Sequence, residues 1–313
     1  MNLHQFRFVQ EALRRNLNLT DAAKALHTSQ PGVSKAIIEL EQELGIQIFA
    51  RHGKRLKNVT EPGQHVIESV AIILREVDNL RRIGEQYSAR DFGTLSIATT
   101  HSQARYVLPK AVTQLRARYP KVNVSLHQGT PDQVARMVIE DGVDIGIATE
   151  SVNDYSELIT LPCYEWQHVL VLRNDHPLAH KKSVTLADIA GEELITYHPS
   201  FTGRTRIDAA FARHHLTPNV ALEAIDSDVI KTYVRLGLGV GIVAEMAVDK
   251  DTDRDLTTRP LGRLIGHNIT RIAFRRGAYL RDFVYYFVHQ LSDRLDRDLV
   301  QKAMNGQASD YAL

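Results

Sequence analysis

The sequence predicts an α/β protein in three parts: a helical N-terminal unit with a small hairpin, one long helix, and a large α/β unit of two lobes. Three observations carry this reading. Residues 1–60 hold short amphipathic helices joined by tight turns, residues 62–89 keep one helical period, and from Gly93 onward strand and helix patterns alternate. A chain of 313 residues is long enough for two or three separate cores.

In the first part, Leu3, Phe6, Val9 and Leu13 form the apolar stripe of an opening helix. A second helix carries Leu19, Ala22, Ala23 and Leu26, and its alanines are small enough to let another helix cross closely. After the turn at His27, either Thr28 or Ser29 caps a third helix. Pro31 falls in that helix's first turn, where no backbone donor is lost, and Val33, Ile37, Leu40 and Leu44 form its buried stripe. Past Gly45, residues 46–49 read as a short strand, residues 51–57 as a basic hairpin tip, and Val59 and Thr60 as a second strand. Helix, tight turn, helix and hairpin together make a winged helix-turn-helix. Its exposed face offers Thr28, Ser29, Gln30, Ser34 and Lys35 to base edges or phosphates, with Arg51, Lys54 and Arg55 on the wing. Residues 1–60 carry nine Lys and Arg against five Asp and Glu, whereas the whole chain is only +1. Positive charge is thus concentrated in the unit that would meet DNA phosphates.

The long helix, from Pro62 to about Ala89, sets Val66, Val70, Ile73, Val77, Leu80 and Tyr87 in four-three alternation, interrupted at Gly84. Such a seam suits pairing between two copies of the chain, and packing on the chain's own domains is the alternative. Paired in this way, two winged domains would read half-sites about one DNA turn, roughly 34 Å, apart.

From Gly93 onward, strands at 95–99, 122–128 and 143–148 alternate with helices near 103–118 and 132–141, which implies a largely parallel sheet. A second set follows Cys163: strands at 168–172, 194–196, 220–224 and 240–243, with helices near 204–214 and 228–235. A strand at 269–274 and a helix from about Leu280 return to the first lobe. Two lobes joined by two crossings form a clamshell like that of periplasmic binding proteins, with a ligand cleft between them. The predicted division is a winged helix-turn-helix DNA-binding domain over 1–60 and a linker and dimerisation helix over 61–91. An effector-binding domain follows over 92–313, with lobe I at about 92–162 and 266–313 and lobe II at about 163–265.

At the rim of that cleft, Thr100, Ser102 and Gln103 stand where the first strand ends and a helix begins, and Thr149 stands at the same edge of the third strand. Phe201, Thr202, Gly203 and Arg204 open a helix of the other lobe. Hydroxyls, an amide and helix-start N–H groups converging from two lobes would hold one small anion. No nucleophile elbow, HExxH or paired-carboxylate pattern occurs, which predicts neither an enzyme nor a metal site. The glycines of 237–241 lie between a helix and a strand and read as a turn rather than a nucleotide loop. The lone Cys163 reads as a packed crossover residue and, with no apolar run near the ~18 residues of a membrane span, points to a cytoplasmic protein without a membrane partner. A small-anion carrier or enzyme on the same clamshell is the rival class; the missing catalytic groups and the N-terminal reader argue against it.

The run SQPGVSKAI, followed by LEQELGIQIFAR, resembles the N-terminal signature of LysR-type transcriptional regulators, and the resemblance covers essentially the whole chain. Within that family, TTHSQARYVLP, ATESV, LPCYEW, FTGRTRID and DSDVIKTYVRLGLGVGIVAEMAVD resemble the CysB-like subgroup, which governs sulfur assimilation genes. The resemblance implies a regulator of cysteine biosynthesis and of sulfate or sulfonate assimilation. It further implies a homotetramer, a dimer of dimers, that binds double-stranded operator DNA and works with RNA polymerase. No cofactor is implied, but an effector is: sulfate, O-acetylserine, N-acetylserine or adenosine phosphosulfate, held at the positions matched by Thr100, Ser102, Gln103, Thr149 and Thr202. Ser102 replaces the subgroup's usual threonine, so the hydroxyl survives and a methyl contact is lost. His198, Pro199 and Ser200 also depart from the pattern, at a lip of the cleft. A LysR-type regulator of another pathway, sensing a different small anion, is the alternative.

Overall fold

The computed structural model describes residues 1–53, 55–88 and 91–307, except for the side chains of Glu150, Ser151 and Thr202. The chain folds as two compact units, Met1–Glu85 and Gln86–Leu313.

In the first unit, α1 (Leu3–Arg14) is capped by Asn2, α2 (Leu19–Ala25) by Asn18 and α3 (Gln30–Leu44) by Ser29, whose hydroxyl accepts from the Gly32 amide. Ser29 rather than Thr28 is therefore the cap. Phe6, Val9, Val33, Ile37, Leu40, Ile48 and Phe49 form the core. Leu3, Leu13 and Leu44, which the pattern places on buried stripes, lie at helix ends and stay exposed.

The wing consists of β1 (Phe49–His52) and β2 (Arg55–Val59), antiparallel, with Phe49 opposite Val59 and His52 opposite Arg55. The first strand starts three residues later than the pattern predicts, because the Glu41 carboxylate takes the amides of Ile48 (2.9 Å) and Phe49 (3.1 Å). Arg51 and Arg55, expected at the tip, instead pair in the ladder with Leu56 and His52, and Gly53 (φ 62°) lies in the turn that follows His52. Lys54, expected on this tip, lies outside the described residues.

Helix α4 (Glu61–Ser88) turns Ile67, Val70 and Leu74 into the core of the first unit. Val70, read as part of a pairing seam, is thus used by the chain itself, while Ile73, Leu80 and Tyr87 stay exposed.

The second unit opens with β3 (Phe92–Thr99), a π-helical turn at Gln103–Val107, α5 (Leu108–Arg118), β4 (Lys121–Gln128), α6 (Pro131–Ile139) and β5 (Ile145–Ala148). It continues through β6 (Leu158–Arg173), α7 (Leu186–Ala190), β7 (Glu193–Tyr197), α8 (Thr202–Arg213), β8 (Asn219–Ala224), α9 (Ser227–Arg235) and β9 (Val240–Ala244). The last elements are β10 (Leu256–Pro260), α10 (Gly262–Ile265), β11 (His267–Arg275), α11 (Asp282–Leu291) and α12 (Arg297–Met304). Strands run in the order β4-β3-β5-β11-β6-β9-β7-β8, with β10 also on β6. Each lobe has a parallel centre, β3 with β4 and β5 in one, β7 with β8 and β9 in the other. The antiparallel strands β6 and β11 carry the chain between lobes. Leu95, Ile97, Phe274, Phe283 and Phe287 fill lobe I; Leu170, Ile195, Phe211, Ile230 and Ile242 fill lobe II.

Two strands depart from expectation. The pattern predicts a strand only at 168–172, with Cys163 in a crossover, yet β6 begins at Leu158 and includes Cys163. Pro162 hides this in the sequence; it stands opposite Arg271 where the register shifts between Thr270 and Arg271, at an irregularity where the ladder tolerates a proline. β10, absent from the sequence reading, covers the second half of β6. Gly239 (φ 150°) lets the turn after α9 approach β7 so closely that a Cβ would meet the Glu193 carbonyl oxygen at 2.1 Å. Packing therefore accounts for that glycine. Among the described residues no helix is long and apolar enough to cross a membrane.

Candidate functional site

The ends of β3 and β5 bring Thr100, Ser102, Gln103 and Thr149 onto one cleft. Tyr197, Phe201, Gly203 and Ala244 face them from lobe II, and Trp166 on β6 joins the two sides. Thr202 opens α8 beside Gly203, and its side chain lies outside the described residues. Positions for the centre of a water-sized sphere fill about 40 Å³ of the cleft, room for a few waters or one small ion. Thr100, Gln103 and Thr149 are all buried, and the Thr149 hydroxyl has no hydrogen-bond partner among the described residues. Arg204, expected at the same rim, turns away, donating to Asp208, the Tyr197 carbonyl and Glu223.

Gln103 is held by the strands that join the lobes. Its Nε2 donates to Thr270 Oγ1 (3.3 Å), Thr270 also accepts from the Trp166 indole (3.1 Å), and the Tyr164 hydroxyl donates to Gln103 Oε1. Phe201 lies at the rim as expected, whereas Trp166 and Tyr197 escaped the sequence reading because an isolated aromatic carries no signal of facing a cleft rather than a core.

In the first unit, Thr28 and Ser29 lie exposed ahead of α3, Gln30 and Ser34 are half-buried along it, and Lys35 is exposed with its ammonium 3.7 Å from Glu39. Gln30 shares a groove with Thr20 and Arg55 of the wing. Arg51 does not join this surface freely: it is 22% exposed and its guanidinium pairs with Glu41 at 3.0 Å.

Residues 3–64 match the model of the bacterial regulatory helix-turn-helix protein of the lysR family, and residues 88–296 match the LysR substrate binding domain. The chain belongs to the LysR family of transcriptional regulators. It is 56% identical over 313 residues to the HTH-type transcriptional regulator CysB of Burkholderia cenocepacia, covering 100% of both chains. To SsuR of the same organism it is 46% identical over 296 residues, with 95% of this chain and 96% of the relative covered. The cofactor-binding domain of the Cbl transcriptional regulator superposes with a TM-score of 0.65 at 40% identity, over 68% of this chain and 94% of that one. The regulator thus stands in the CysB-like group of sulfur-metabolism regulators, is not an enzyme, and has the two-lobed fold of the family's substrate-binding domain.

Behind the regulator's cleft, His168 is fully buried, edge-on to Trp166 with centroids 5.0 Å apart, and its Nε2 lies 2.9 Å from where a Cβ on Gly203 would stand. Burial, helped by Arg206, pushes its imidazole down to about 3, so it is neutral at physiological pH. In the unfolded chain a histidine titrates near 6.5 and takes up a proton that the folded state refuses. Stability is therefore retained above that value and lost as pH falls from there toward 3. Between about pH 7 and about pH 5, the parent is expected to lose about 2 kcal/mol more than His168→Leu in urea unfolding. Parallel losses would mean that His168 is protonated in the fold. The Cys163 thiol is likewise held neutral, burial pushing it up to about 12, as a packed rather than reactive group requires.

Proposed function

We propose that the regulator binds double-stranded operator DNA through α3 and the wing, with Thr28, Ser29, Gln30, Ser34, Lys35 and Arg55 at the interface. A small oxyanion in the cleft, sulfate first, then switches transcription of cysteine, sulfate or sulfonate genes. Residues 1–60, 61–91 and 92–313 serve as reader, linker and sensor. The observation that carries this reading is the cleft: lobe I lines it with the hydroxyls of Thr100, Ser102 and Thr149, the amide of Gln103 and the His101 ring, and the Thr149 hydroxyl is buried without a partner among the described residues. Sulfate accepts hydrogen bonds and donates none, so donors alone satisfy it. The exposed Ile73 and Leu80, seven residues apart on α4, support pairing of two copies. A tetramer in the cytoplasm acting with RNA polymerase completes the reading. Closure of the lobes around the anion biases the oligomer only by the difference in its affinity for the two states.

Calorimetric titration with sulfate, O-acetylserine, N-acetylserine and adenosine phosphosulfate tests it. Saturable binding of one of them is expected, lost in Thr100→Ala, together with a ligand-dependent change in the DNA footprint. Binding of none by the parent removes the sulfur effector, and identical footprints with and without a bound ligand remove the switch.

A further inference from the structure

At the cleft mouth, one carboxylate of lobe II is gripped by two side chains of lobe I, with a third close by. Asp228, in the first turn of α9, accepts from the Tyr106 hydroxyl at 2.6 Å and pairs with Arg105 Nε at 2.7 Å, with His101 Nε2 at 3.6 Å. Asp228 is itself braced within lobe II. Lys231 Nζ lies 3.6 Å away, and this lysine, almost fully buried, is tied to the Ala247 carbonyl and to Asp253 at 2.9 Å. Arg235 holds the same Asp253 at 2.6 Å. A pull on Asp228 is therefore transmitted to the body of the lobe.

The oxygens of Asp228 and Asp226 and a nitrogen of His101 also lie within 4.8 Å of one another, as a cation site would require. The surrounding charges answer otherwise. Arg105 and Lys231 already neutralise Asp228, and Asp226 accepts from the Val229 amide at 2.8 Å as the cap of α9. A metal ion brought here would face two cations.

We propose that Asp228 is the catch of an interlobe latch, with Tyr106 and Arg105 as its hook, and that the latch sets how much of the protein has its lobes closed. Tyr106 and Arg105 sit on the same five-residue π-helical turn whose first residue, Gln103, lines the cleft. Such irregular turns, with one residue more per hydrogen-bonded loop, are a means of aiming several side chains at functional places at once. One turn thus touches the ligand space with Gln103 and the opposite lobe with Tyr106. The Arg105 side chain is 56% exposed, so the hook draws chiefly on the part-buried, charge-assisted Tyr106–Asp228 bond, which can bias a two-state equilibrium that exposed pairs would leave alone. A ligand enclosed by both lobes binds the closed state, and its apparent affinity falls in proportion to the closed fraction. This last step rests on the anion reading of the cleft; the latch itself does not.

The test reads the two separately. Spin labels are placed on the full-length protein at Asn123→Cys in lobe I and Ala212→Cys in lobe II, and labelled chains are diluted with unlabelled ones. Interlobe distances are then measured without any ligand. Asp228→Ala is expected to lengthen and broaden the distribution, Tyr106→Phe to do so partially, and Asp228→Glu to restore most of the parent's distribution, all with unfolding midpoints close to the parent's. Sulfate affinity is expected to fall about tenfold in Asp228→Ala. Superimposable distributions in the parent and Asp228→Ala overturn the latch, even if sulfate binding weakens, because Asp228 would then act only by positioning side chains around the ion and not by holding the lobes together. A widened distribution in a protein whose parent binds no sulfate supports the latch and removes the anion reading instead.

Discussion

Glu41→Ala is expected to destabilise the first unit by about 3–5 kcal/mol and to abolish DNA binding with it. The carboxylate is 8% exposed and does three things at once. One oxygen accepts from the amides of Ile48 and Phe49, which start the wing, and the other pairs with Arg51 at 3.0 Å. Truncation leaves two buried N–H groups and a half-buried guanidinium without partners, and the cost of unmade bonds exceeds the net worth of made ones. Glu41→Gln keeps an acceptor for the two amides but sets an NH2 donor against Arg51, losing the charge and the hydrogen bond to it, so about 1.5–3 kcal/mol is expected there. Urea unfolding of the full chain, with hydrogen exchange followed at the wing amides, checks both. A loss under about 1 kcal/mol for the alanine variant would show that water replaces the carboxylate and that the wing is not pinned from α3.

Thr149→Val is expected to move stability and binding in opposite directions. The valine matches the threonine in shape and removes a hydroxyl that is buried yet unpartnered among the described residues. Without ligand, the variant is expected to match the parent or exceed it by up to about 1 kcal/mol, since an unsatisfied polar atom disappears from the interior. A hydrogen bond to a charged partner contributes about 1.5–3 kcal/mol, so sulfate affinity is expected to drop by about 10- to 100-fold. Thr149→Ser retains the hydroxyl and most of the affinity. Calorimetry and thermal unfolding on the same preparations give both numbers. Unchanged sulfate affinity in Thr149→Val, with the parent binding, would mean that this hydroxyl does not face the ion.

Local chemistry explains which features were legible in the sequence. Caps and periodicities are written over a few adjacent residues, so Ser29 and Pro31 announced α3, and Leu95–Thr99 and Val122–Gln128 announced two strands of lobe I. Long-range pairing is not written locally. Pro162 argues locally against a strand, because the partner that makes it tolerable, the irregular register at Thr270 and Arg271, lies more than a hundred residues away. The sequence shows the charge of Arg51 and not Glu41 beside it, so the pairing and partial burial of this arginine were not legible. Thr100, Ser102, Gln103 and Thr149 were found because strand ends in an α/β sheet share one edge. The Trp166 and Tyr197 wall and the Tyr164–Thr270 support of Gln103 were not, since β6, β7 and β11 bring these residues to Gln103 from far along the chain.

The return of β11 and α11 to lobe I has a consequence for how the protein is made. On the ribosome the winged unit leaves the exit tunnel whole and can fold at once, and lobe II is complete soon after Ile265 emerges. Lobe I, although begun at Phe92, lacks Ile272, Phe274, Phe283 and Phe287 of its core until almost the entire chain has been translated. Its early strands must wait through the synthesis of a whole lobe, packed on α5 and α6 but with the edge of β5 that β11 will pair still open. That interval is when the nascent regulator most needs a chaperone, and a stop codon a few dozen residues before the end would cost it the lobe that it started first.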